Sequence, residues 1–162
     1  MPRSSPCRAT SASDGRDVDQ PAEQCIYRRA RRVVRVNRSK RANHFGTICE
    51  KRMAKKRRFS LERASWHDAR FQNGTPVEIK STMIEHSDGQ PGNFKVCRKY
   101  HEKLRRNDGW YCFVVYRSHS RSGCTILNDK MVHTNSLPLL RWHGGGSHRG
   151  TEQEKLAISA IF

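Results

Sequence analysis

Three residues invite a chemical reading: Asp68, and Glu78 with Lys80 in the run Thr75-Pro-Val-Glu-Ile-Lys-Ser81. Two extended segments, HDARF and TPVEIKS, flank Gln72-Asn73-Gly74, a turn signal that predicts a β-hairpin. Side chains alternate along a strand, so Glu78 and Lys80 share one face and the apolar pair Val77 and Ile79 takes the other. With a three-residue loop and Gly74 left-handed, residue 71 opposes 75 and Asp68 stands across from Glu78. A two-residue Asn-Gly loop would instead oppose Asp68 to Ile79 and put the carboxylates on different faces. In the first register the two acids repel unless they share a cation, and hard oxygen ligands suit Mg2+ or Mn2+. A cation so held can polarise a phosphoryl oxygen and acidify a water, and the Lys80 ammonium can offset developing charge. Phosphodiester hydrolysis uses such parts. A surface hairpin with an ordinary salt bridge is the competing reading.

The surroundings of that hairpin are basic. Of 162 residues, 32 are Lys or Arg and 15 Asp or Glu, for a formal charge of +17. Residues 28–63 carry fifteen basic groups against Glu50 and Glu62, for +13. A polyanionic partner follows, and nucleic acid, DNA in particular, is preferred to an anionic membrane. No apolar run is long enough to span a bilayer and residues 1–20 contain no signal-type apolar stretch, so the expected location is cytoplasmic, or nuclear in a eukaryote. The cysteines show no C-x2-C pair, which excludes a zinc ribbon and a thioredoxin motif; they read as reduced core thiols.

Stepping outward, residues 1–27 have the composition of a disordered tail, 28–41 form a basic arm, and 42–162 form the folded domain. In the arm Arg28, Arg29, Arg31, Arg32, Arg35, Arg38, Lys40 and Arg41 are candidate phosphate contacts. A helix is expected from an Asn43 N-cap to about Lys56, with Phe45, Ile48, Cys49 and Met53 on one face and a solitary acid, Glu50, on it. A strand is expected at 58–61. A second helix is expected to carry Phe94, Cys97, Tyr100, His101 and Leu104 on its buried face and Lys95, Lys99, Lys103 and Arg106 as a phosphate track. His101-Glu102 reads as helix surface and residues 110–116 as a strand buried on both faces. Residues 125–127 and 131–133 are weaker strand candidates. The last twelve residues fit either a capped helix or an alternating strand, and His143 and His148 flank a glycine loop that reads as solvated. The class is α/β (α+β): a mixed sheet of about four or more strands flanked by helices.

Glu50 on a first helix, then Asp68, then Glu78-x-Lys80 after a turn, then a helix and a buried strand, resemble the PD-(D/E)XK nuclease superfamily, including restriction-endonuclease-like proteins and the small archaeal Holliday junction resolvases. The resemblance implies a metal-dependent DNA endonuclease, with branched or junction DNA as a substrate class and a symmetric homodimer as a common state. It implies Asp68, Glu78 and the Ile79 carbonyl on Mg2+, Lys80 at the attacking water, and Glu50 reaching the metal through water. His67 stands where the family name has a proline, and the helix after Lys80 lacks the Gln common in relatives. The alternative is a noncatalytic nucleic-acid-binding protein in which the same acids and Lys80 are structural.

Overall fold

The computed structural model describes residues 38–62, 64–119, 123–144 and 152–162. The elements in chain order are α1 (Arg38–Arg57), β1 (Ser60–Leu61), β2 (Ala69–Arg70), β3 (Pro76–Met83), β4 (Asn93–Cys97), α2 (Arg98–Arg106), β5 (Trp110–Ser118), β6 (Cys124–His133), β7 (His143–Gly144) and β8 (Glu152–Ala157). The tail and most of the arm, with Arg28, Arg29, Arg31, Arg32 and Arg35, lie outside the described residues, as does His148.

α1 buries Phe45, Cys49 and Met53, spaced four apart on one face. It begins at Arg38, so Asn43 is an interior residue whose carbonyl accepts the Thr47 hydroxyl at 3.1 Å. Arg38, Lys40 and Arg41 therefore belong to the helix and not to an extended arm, and the expected boundary between 41 and 42 falls within it. The reason is local: Arg, Lys and Ala are good helix formers, and nothing between 38 and 43 breaks the helix. At the other end Arg58 turns left-handed (φ 57°) and Phe59 N–H donates to the Ala54 carbonyl at 3.0 Å, closing the last turn. Only Ser60–Leu61 of the expected 58–61 strand then pairs.

The central sheet has the order β1-β2-β3-β5-β6, parallel between β3 and β5 and antiparallel elsewhere. That is one strand more than the four the resemblance implies. Alternation along β5 explains its uninterrupted apolar run. Cys112, Val114 and Tyr116 face α1 with Val77 and Ile79, while Tyr111, Phe113 and Val115 face Phe94, Val96, Leu104 and Leu156 on the other side.

The region after the 86–92 loop differs from expectation. Phe94 and Cys97 lie on β4 and not on the second helix, which is confined to Arg98–Arg106. Phe94 and Val96 alternate inward and pair with Leu156 and Glu154 of β8 in a second sheet of order β4-β8-β7. That pairing resolves the C-terminal segment as a strand. The two weak candidates near 125 and 131 are parts of one strand, β6.

Candidate active site

The hairpin takes the three-residue register. Gly74 has φ +85°, Gly74 N–H donates to Phe71 O at 2.9 Å, and Phe71 N–H donates to Thr75 O at 3.0 Å. The Asn73 side-chain oxygen accepts from Thr75 N–H at 3.1 Å, which fixes the turn. Ala69 pairs with Val77 and Arg70 with Pro76, and just beyond that pairing the Asp68 carboxylate lies near enough to Glu78 to raise its pKa.

At Asp68 the ladder opens. Asp68 N–H bonds Val77 O at 3.0 Å, and its carboxylate Oδ2 takes the Ile79 N–H at 2.8 Å, a ladder position filled by a side chain. The odd residues of β3 turn their backbone groups to β2 and the even ones to β5, as the Ile84 N–H to Tyr116 O bond shows. The Ile79 carbonyl therefore looks to the same edge as its N–H, where Asp68 sits.

Glu78 is 8% exposed and ion-paired to Lys80 Nζ. Burial pushes the Glu78 carboxyl up to about 7; Lys80 pulls against that shift and the adjacent Asp68 carboxylate adds to it. The Lys80 ammonium pairs with Glu78, which is buried, while Asp68 and Lys80 are only partly so. Two carboxylates and a carbonyl are a hard-oxygen set, and burial is the main reason that the charged form of Glu78 is disfavoured; the set fits Mg2+ or Mn2+.

Behind the site, Tyr111 pairs with Glu78 across the parallel ladder, and its phenol lies 3.2 Å from His101 Nδ1. Burial holds His101 below its ordinary pKa, and burial with the Glu78 charge raises Tyr111, so the phenol stays protonated. His101 is buried with Leu104, as its place on the apolar face of the second helix predicts, and is not open helix surface. Nothing local in the sequence marks this pair, because it depends on a parallel pairing across 33 positions. His67 is buried beneath Asp68, with Nε2 3.0 Å from Glu62.

A Cβ on Gly46 would lie 3.9 Å from Glu50 Oε1 and 4.0 Å from Ser81 Oγ, so the carboxylate stands near Ser81 on the α1 face, while Glu78 and Lys80 project from the other. Among the described residues no three His, Cys, Asp or Glu side chains are grouped to hold a metal. Asp68 and Lys80 are thus the charged neighbours of Glu78.

Of the basic track, Lys99, Lys103 and Arg106 are exposed on α2, with Lys103 Nζ 5.1 Å from the Trp66 ring centre. Lys95 is not on that helix; it is exposed on β4 opposite Lys155. On α1, Lys40 is exposed and Arg41 lies 3.4 Å from Ser118 Oγ. No described helix is long and apolar enough to cross a membrane.

Residues 36–162 match the PD-(D/E)XK nuclease superfamily domain. The chain belongs to that superfamily. Its mixed five-stranded sheet, second three-stranded sheet and two helices form an α+β restriction-endonuclease-like fold. Membership supports a nuclease, a hydrolase whose substrate is nucleic acid, and superfamily members typically use divalent metals. No curated protein and no solved structure matches the chain.

Proposed function

We propose that this superfamily member is a metal-dependent DNA endonuclease that hydrolyses phosphodiester bonds at Asp68, Glu78 and Lys80. What supports the reading is that the buried Glu78 has the Asp68 carboxylate and the Lys80 ammonium as its charged neighbours, on a hairpin held by the Ala69–Val77 and Arg70–Pro76 pairs. Asp68, Glu78 and the Ile79 carbonyl would hold Mg2+ or Mn2+, which when bound polarises the phosphoryl oxygen and acidifies a water. The chain's own contribution is positioning. The Ile79 N–H fixes the Asp68 carboxylate, and Lys80 brings a cation to where charge develops on the phosphate. Lys40, Arg41, Lys99, Lys103 and Arg106 contribute to binding through phosphate charge and carry no sequence information. Branched DNA is the substrate to try first, by analogy with the small junction resolvases.

Supercoiled plasmid and a four-way junction, each with and without Mg2+, test this. Metal-dependent cutting that disappears in Glu78→Ala and Lys80→Ala, with DNA binding intact, is expected. Binding by the wild type with no cutting in Mg2+ or Mn2+ would select the noncatalytic reading, in which the Glu78–Lys80 pair is structural.

A further inference from the structure

At the turn of the same hairpin lies a groove of about 590 Å³, lined by Arg57, Arg58, Phe71, Gln72, Asn73 and Trp110. That size is in the range of small-ligand sites, roughly 300–1,000 Å³. Its walls join aromatic faces, primary amides and guanidinium groups. Phe71 and Trp110 meet edge to face with centroids 6.4 Å apart and are only partly buried. The Asn73 oxygen is used within the turn, but among the described residues nothing takes its amide N–H donors.

Arg58 is the least expected residue here. It occupies the left-handed position that closes α1, where glycine is the usual occupant because a Cβ is strained there. Its guanidinium has no ion-pair or hydrogen-bond partner among the described residues, whereas the neighbouring Arg57 is held by Asp129. A non-glycine residue kept in a strained conformation, presenting an unpaired cation to a groove, points to a ligand.

We propose that this groove receives one unpaired nucleotide of the substrate, resting on the nuclease reading of the neighbouring site. The base stacks on Trp110 with Phe71 at its edge, the Asn73 and Gln72 amides meet its polar edge, and Arg58 takes its phosphate. A fully paired duplex cannot offer a base face. The distance is suitable: three strand residues separate the turn from the 68–78 pair, about 10 Å, or roughly three base steps. The groove would make the enzyme prefer cutting near a bulge, flap or junction, where bases are unpaired.

The test uses the full chain in EDTA and two DNA duplexes of one sequence, one fully paired and one carrying a single bulged 2-aminopurine. The bulged duplex is expected to bind about tenfold more tightly, with 2-aminopurine fluorescence quenched on binding. Arg58→Gly, which relieves backbone strain and so retains the fold, should abolish the preference while leaving paired-duplex affinity nearly unchanged. Trp110→Leu, confirmed folded by its melting transition, should do the same and remove the quench. Equal binding of the two duplexes by the wild type, or a preference that survives both substitutions, overturns the proposal. A bulge preference without cutting in Mg2+ would keep the groove and refute the hydrolase reading; cutting without a bulge preference would do the reverse.

Discussion

Two carboxylates lie on either side of β5, and they have opposite fates. Asp129, on β6, has a side chain 5% exposed and faces Lys56 at 2.5 Å and two guanidinium nitrogens of Arg57. Burial alone would raise its pKa, yet hydrogen bonds from Lys56 and Arg57 hold it below the usual carboxylate value. Glu78, on β3, is buried to a similar degree but has one lysine and a second acid as its charged neighbours, and its carboxyl rises to about 7. The first centre has two cations for one acid; the second has one cation for two acids. The first is complete as a structural tie between α1 and the sheet. At the second, burial and the neighbouring acid outweigh the single lysine, and a divalent ion would favour the charged form.

If that contrast holds, substitutions at the two centres should differ in kind. Glu78→Gln or Lys80→Ala should lower metal-dependent cutting by about 10²- to 10⁴-fold in single-turnover assays while leaving binding in EDTA intact. The next effect is a pH dependence of stability without divalent ions. Glu78 ionises near 4.5 when unfolded and about 7 when folded, so between those values the native state binds more protons. Metal-free stability should therefore fall as pH rises from about 4.5 to about 7, by at most about 3 kcal/mol, with the penalty complete above that window. Denaturant melts of wild type and Glu78→Gln across this range check it, since the variant should lack the fall.

At the other centre the sign reverses. The folded pKa of Asp129 is depressed, so its stabilisation is present above its ordinary value of 3.8 and lost as pH falls through the folded value. Asp129→Asn should cost about 1–3 kcal/mol in chemical melts at neutral pH, with cutting per folded molecule unchanged. Lys56→Ala should cost least, under about 1 kcal/mol, because that side chain is 60% exposed and Arg57 remains.

The hairpin was legible because its signals are local: an Asn-Gly turn sets the loop, and the alternation of Val77 and Ile79 with Glu78 and Lys80 sets the face. The β5 core strand was legible for the same reason. β4 was not, since Phe94, Cys97, His101 and Leu104 also fit helical spacing, and the partner that makes 93–97 a strand lies at 153–157. Glu50 was conspicuous as a lone acid in a basic helix, but which face of the sheet it meets depends on tertiary packing. The Asp129 tie was invisible for a similar reason: 72 residues separate it from Arg57. Asn43 shows the limit of a cap preference, worth about 1 kcal/mol, against a helix able to continue through good helix formers.

Calorimetric titration of the full chain with Mn2+ above pH 7 tests the proposed metal site at Asp68 and Glu78 most directly. The wild type should bind a single Mn2+ at this site, and both Asp68→Asn and Glu78→Gln should lose it while Asp129→Asn retains it. No binding by the wild type, or binding untouched by either substitution at the 68–78 pair, would contradict it.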